Sequence, residues 1–278
     1  MHRPPTIEAA LAAVDGKARG IPPRHVLGTS APFVGCGRLS NRSRFLITGC
    51  GRSGTNAVSA MLVSAGMSAT HERSPTLGGD TDSVLVSWEY AGFLSSASYW
   101  RSRVFECYAP VLKVHREPLS TITSLADGFT GTGDCNKRTE SKWDAVSWKF
   151  ASRWVWLPFA NKTNSFVDTC RLERRERLKL ALHYWVGWNL LADGVATHST
   201  QVETLTAQSV MAHWCDFCRE PAAPCACPGG PVASVAPKPR PNHGRPSTLT
   251  WPELHALDAA MGARAAELAR TYGYPAVV

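Results

Sequence analysis

Residues 44–66 read Arg44-Phe-Leu-Ile-Thr48-Gly49-Cys50-Gly51-Arg52-Ser53-Gly54-Thr55-Asn56-Ala-Val58-Ser-Ala-Met61-Leu62-Val-Ser-Ala65-Gly66. Phe45 to Thr48 is a short apolar run of strand-forming residues, bounded by Arg44 before it and glycine after it. From Asn56 the apolar positions change period, with Val58, Met61, Leu62 and Ala65 at helical spacing and Gly66 as a stop. Strand, glycine loop and helix make one βα unit. Such a turn gathers backbone N–H groups around one point and adds the positive end of a helix dipole, which is the chemistry of a phosphate site. Gly49, Gly51 and Gly54 let the backbone approach an anion, Arg52 brings a forked cation, and Ser53, Thr55 and Asn56 bring polar side chains. The spacing Gly49-x4-Gly54 matches that of nucleotide triphosphatases, but Thr55 stands where their pattern has lysine. A tight turn whose glycines serve packing alone is the competing reading.

A second βα unit follows at Pro110-Val-Leu-Lys113-Val114, continuing as His115-Arg116-Glu117-Pro118 into a helix expected to run through Leu125. Pro118 suits the first turn of a helix, where its missing N–H costs nothing. Arg116 at the strand end and Ser124 inside the helix form a second candidate anion clamp, since guanidinium binds phosphate oxygens bidentately. Residues 126–142 read as a loop, 143–159 as an aromatic helical stretch, and 171–193 as a long helix with Leu178, Leu182, Trp185, Trp188 and Leu191 on one stripe. Gln201–Leu205 reads as a short strand. Residues 219–247 are proline-rich and aperiodic, and a closing helix begins at the capping box Thr250-x-x-Glu253 and stops at Gly273. Strands alternating with helices predict an α/β fold, a central and mostly parallel sheet flanked by helices.

The 278 residues are 44% hydrophobic and 19% charged, enough for a large buried core and too apolar for wholesale disorder. No apolar run is long enough to cross a bilayer. Residues 1–43 lack a continuous apolar core, hold only two acids (Glu8 and Asp15), and are expected to form a basic, partly ordered leader. An organelle transit peptide is the alternative. Residues 44–278 are expected to form one domain, with a Cys/Pro-rich insertion around 213–247. The net charge of +8 suits an anionic ligand, though nucleic acid and membrane surfaces share that preference. The densest basic run, 171–179, also carries Glu173 and Glu176 and reads as a solvated helix face.

The pair of anion motifs resembles the sulfotransferase family that uses 3′-phosphoadenosine-5′-phosphosulfate as donor. Arg52-Ser-Gly-Thr55 looks like its 5′-phosphosulfate loop, in the variant with arginine in place of lysine, and Arg116 with Ser124 looks like its 3′-phosphate motif. Gly66 to Glu72 followed by Asp82 and Ser87-Trp88 is similar to a stretch in some members. Tyr184-Trp185 with Asn189, Val202–Leu205, Thr250-Trp251 and Gly273-Tyr274 are weaker signposts. The family's Arg-Lys-Gly segment over the 3′-phosphate is missing, and Asn242-His-Gly-Arg245 is the nearest substitute. The resemblance implies a P-loop-like sulfotransferase architecture. It also implies transfer of a sulfuryl group to an acceptor hydroxyl on a carbohydrate or small metabolite, with no metal in the reaction.

Gly49–Asn56 would then hold the 5′-phosphate, Arg116, Ser124 and Arg245 the 3′-phosphate, and Arg52 the charge on the leaving group. Glu72 is the favoured base and His71 the alternative, since the pair follows the first βα unit where a second strand would end beside the loop. Two rival readings remain: a P-loop kinase or nucleotide hydrolase, and a non-enzymatic nucleic-acid-binding module built around a zinc cluster. The nine cysteines are an odd number. With no signal sequence expected, they fit a reducing, cytoplasmic setting. Cys215, Cys218, Cys225 and Cys227 stand open to three readings: a structural zinc site with His213 as a spare ligand, disulfides, or free thiols.

Overall fold

The structure, a computed structural model, describes residues 44–67, 69–71, 84–86, 108–128, 173–193, 196–219 and 248–276. Expectations for the leader, the aromatic stretch 143–159, the insertion beyond 219, Glu72, Cys225, Cys227 and Arg245 fall outside these residues. The chain divides into two compact units, interleaved along the sequence.

The first unit is built on a five-stranded sheet. β1 (Arg44–Gly49) is followed by helix α1 (Thr55–Ser64), β2 (Ala69–His71), β3 (Val84–Val86) and β4 (Tyr108–His115). After the end of a long helix come β5 (His198–Gln201) and α4 (Ala207–Cys218). The strand order is β2-β3-β1-β4-β5, and all four pairings are parallel. β1 is central, which explains why Phe45, Leu46 and Ile47 form an unbroken apolar run, buried on both faces. One face carries Phe45, Ile47, Leu112 and Val114, packed with Val58, Met61 and Leu62 of α1 and with Ala207, Val210 and Trp214 of α4. Phe45 and Trp214 stack with ring centroids 5.4 Å apart. Each large apolar side chain buried here contributes about 1.5–3 kcal/mol.

Two local features set the register. Between Arg44↔Tyr108 and Leu46↔Val111 the β4 strand uses one residue more than β1, a bulge at the stretch holding Pro110. A proline, which cannot donate to the ladder, is tolerated at such a place. α4 starts with a reciprocal cap, Ser209 N donating to Thr206 Oγ1 at 3.0 Å and Thr206 N to Ser209 Oγ at 2.9 Å. β5 lies at His198–Gln201, whereas the sequence places a strand at 201–205. Val202 N donates to His115 O, and residues 202–204 turn toward α4.

The second unit is helical. It contains α2 (Pro118–Gly128), most of α3 (Arg174–Asp193), α5 (Trp251–Leu257) and α6 (Ala259–Thr271). From Leu180 through Asn189 every residue of α3 is buried, so the helix is a core element rather than an amphipathic one with a single stripe. The capping box forms at Thr250 and Glu253. The expected single closing helix is instead two. At Asp258 the backbone is extended (φ −164°, ψ 107°), and its side chain accepts from Met261 N to start α6. A Cβ on Gly262 would meet the His255 backbone at 2.7 Å, so the two helices pack against each other through a glycine.

Candidate functional site

β1 lies at the point where the chain changes direction across the sheet. β2 and β3 are laid down on one side of it, β4 and β5 on the other. In open α/β sheets, ligands bind at the carboxyl ends of the strands at such a switch point, here between β1 and β4. The loop Cys50–Gly54 occupies that position.

Its conformation follows from its glycines and one exception. A Cβ at Gly49 would sit 2.4 Å from the Val114 carbonyl oxygen and 2.7 Å from Ser53 Oγ, so only glycine fits. Gly54 has φ +92° and stands as the N-cap of α1, with no side chain capping the helix amides. Helix N-termini normally recruit Ser, Thr, Asp or Asn for this, and an N-cap glycine brings no side-chain acceptor of its own, as at anion-binding loops. Arg52 is the exception: a non-glycine in the left-handed region, at φ +67°. That conformation is sparsely populated for bulky residues and is found where function demands it. It leaves the Arg52 side chain exposed at the loop's surface. Ser53 is buried, and both its amide (3.0 Å) and its hydroxyl donate to Cys50 O. The Ser53 hydroxyl therefore braces the loop, and its one proton faces inward rather than toward a ligand. Thr55 is buried and Asn56 exposed in the first turn of α1.

Beneath the loop is a group of side chains that the sequence reading passed over. Leu46 pairs with Val111 and Thr48 with Lys113, and the same register carries Cys50 toward His115. These residues point to the face opposite Phe45 and Ile47. Thr48, Cys50, Lys113 and His115 are all buried there, Lys113 with 0% exposure. Lys113 Nζ pairs with Asp193 Oδ1 at 2.6 Å, at the end of α3. Burial lowers the Lys113 ammonium to about 8, against the opposing pull of Asp193. Burial, with Lys113 adding to it, lowers His115 to about 3. The Cys50 thiol is pushed far above the ordinary range by burial, which makes it unreactive. Thr48 Oγ1 is buried without a hydrogen-bond partner among the described residues. The one available signal was Lys113 itself, a charge inside an otherwise apolar strand.

Arg116 follows directly on β4 and is half-buried, and Ser124 is half-buried in the second turn of α2. Glu117 caps α2: its carboxylate accepts from Leu119 N at 3.0 Å and Ser120 N at 2.6 Å. The leading amides of α2 are thus already satisfied, and any anion affinity at this motif rests on the Arg116 guanidinium rather than on the helix. His71 ends β2, at the same sheet end as the loop. Its strand is separated from β1 by β3, with His71↔Val86↔Ile47 in register. The expectation that this strand ends beside the loop is therefore corrected: two strand spacings, about 10 Å, separate the backbones.

Cys215 and Cys218 are both disulfide-bonded, and Cys50 is a free thiol. His213 stacks at a tilt on His198, with ring centroids 5.4 Å apart. No group of three or more metal-ligating side chains occurs among the described residues. No helix among them is long and apolar enough to cross a membrane. Comparison with protein-family models, with curated proteins and with solved structures finds no match.

Proposed function

We propose that the chain is a sulfotransferase of P-loop-like architecture that moves a sulfuryl group from 3′-phosphoadenosine-5′-phosphosulfate to an acceptor hydroxyl. The observation that carries this reading is the loop: a helix N-terminus with no side-chain cap behind Gly49 and Gly54, with Arg52 held left-handed and exposed and Thr55 where the triphosphatase pattern has its lysine. In this reading the loop amides, Arg52 and Thr55 hold the 5′-phosphate, and Arg116 with Ser124 holds the 3′-phosphate that separates this donor from ordinary adenine nucleotides. Arg245 is assigned to the same phosphate.

The chemistry asked of these residues is positioning and charge stabilisation. The acceptor oxygen bonds to sulfur as the bond from sulfur to the 5′-phosphate oxygen breaks. Arg52 and the loop amides take up the negative charge left on that phosphate. The acceptor proton passes to Glu72, or to His71 if the histidine is the base. The acceptor is a carbohydrate or small metabolite.

A kinase or nucleotide hydrolase draws on the same loop, and a thermal-shift comparison separates the two. Adenosine 3′,5′-bisphosphate should raise Tm well above any shift from ATP with magnesium, because a ligand that binds only the folded state stabilises it. Arg116→Ala should weaken adenosine 3′,5′-bisphosphate by about 1.5–3 kcal/mol, the loss expected for a charged hydrogen-bond partner. A larger shift with ATP and magnesium, or undiminished affinity in Arg116→Ala, would overturn the donor assignment.

A further inference from the structure

The loop lacks a lysine of its own, yet a fully buried ammonium lies directly beneath it. Lys113 is paired in register with Thr48, the residue before Gly49, and its charge acts on Cys50 within the loop. A lysine has no reason of packing to stand in the middle of a parallel sheet, where desolvation disfavours its charge. Its ion-pair partner, Asp193, is 36% exposed at the side chain, so this half of the pair retains solvent while the lysine has none. The result is a cation held on the protein side of an anion loop, in low dielectric, where its field is weakly screened.

We propose that Lys113 supplies, from the adjacent strand, the cation that the loop's sequence omits at position 55, and that Asp193 governs how firmly that charge is held. The proposal rests on the reading of Cys50–Thr55 as an anion-binding loop and assigns Lys113 a positioning role: it acts on the bound phosphate through the field beneath the loop, without touching it. Among the described residues, Asp193 at the end of α3, Cys50 in the loop and His115 on β4 are ionisable groups that act on or feel Lys113. His115 and Cys50 stay neutral between pH 7 and 9.5, the first because it titrates near 3 and the second because burial holds its proton. Phosphate monoesters complete their second ionisation near pH 6, so the ligand's charge is also constant in this window.

A charge with this role has a signature that a structural ion pair lacks. Lys113 titrates at about 8 in the free protein. A bound anion favours the protonated form, so affinity must fall as pH rises through that value. Adenosine 3′,5′-bisphosphate binding to the full chain should be followed by calorimetry between pH 7 and 9.5. Wild type should lose affinity on the order of tenfold across the range. Lys113→Met should bind on the order of tenfold more weakly at pH 7, show no such decline, and converge on wild type at the alkaline end. Asp193→Asn, which removes the group that raises the lysine's proton affinity, should move the decline to lower pH. Equal affinity and an unchanged alkaline decline in Lys113→Met would overturn the proposal and leave the loop reading standing. Absence of binding by wild type at any pH would overturn both. If circular dichroism shows Lys113→Met to be unfolded, Asp193→Asn decides alone: a decline at the wild-type position overturns the proposal, and a weaker affinity that is already flat above pH 7 or declines at lower pH supports it.

Discussion

At the scale of single residues the loop asks unlike things of neighbouring side chains. Gly49 is there for what it lacks, since any Cβ would collide with the Val114 carbonyl. Arg52 is there for what it carries, and the left-handed backbone that presents it disfavours any residue with a Cβ by about 1–3 kcal/mol. Arg52→Ala keeps the Cβ and so the same backbone cost, and should leave thermal stability near wild type while removing most transferase activity with labelled donor. A variant with near-wild-type kcat would detach the loop from the chemistry. The proton acceptor is tested separately. Glu72→Gln should retain binding of adenosine 3′,5′-bisphosphate while kcat falls by a factor of ~10² or more, with His71→Ala less severe. The reverse order of severity would make His71 the base, and full activity in both would place the base elsewhere.

At the scale of elements, Asp258 joins two helices that the sequence presents as one. Its carboxylate caps α6 through Met261 N at 3.2 Å, and it meets His183 Nε2 of α3 at 3.0 Å and Lys179 at 3.6 Å. Burial acts to raise its pKa, but the Met261 amide, His183 and Lys179 outweigh it and hold the carboxyl below the usual range. Asp258→Ala should lower stability by about 0.5–2 kcal/mol from the lost cap alone. The buried His183 would also lose its partner, so the total should exceed that of Thr250→Ala, which removes an exposed cap. Equal urea midpoints for the two variants would show that the Asp258–His183 contact adds nothing. The periodicity of Leu254, Leu257, Met261, Ala265 and Leu268 runs through Asp258 unbroken because both helices bury the same side. A stripe records burial, and the break shows only in the backbone at 258.

At the scale of the whole molecule, two buried histidines among the described residues contribute to the response to acid. His115 titrates near 3 in the folded chain, against about 6.5 when unfolded, and burial also lowers His183. Between those values the unfolded state binds more protons, so the contribution of His115 to stability is fully present above about pH 6.5 and is lost as pH falls toward 3, and His183 acts in the same direction. The urea midpoint should therefore drop steadily from pH 7 to pH 4, and His115→Gln should flatten that slope. A midpoint constant between pH 7 and 5 would show that these histidines are solvated rather than buried.

The amino-acid sequence by itself determined the βα unit at 44–66, the second unit at 110–125, the helix ending at Asp193 and the capping box at Thr250. Each is local: an apolar period, a turn residue or a cap acts within a few positions of itself. What only the tertiary structure decided is long-range. Parallel pairing sets His71 two strands from the loop and brings Lys113 beneath it, because strand order and register are fixed by packing on both sheet faces rather than by neighbours along the chain. The same holds for Asp193 with Lys113, 80 residues apart, and for Asp258 with His183, 75 apart. A buried charge is visible in sequence as an anomaly, and its partner becomes known only when the fold closes around both.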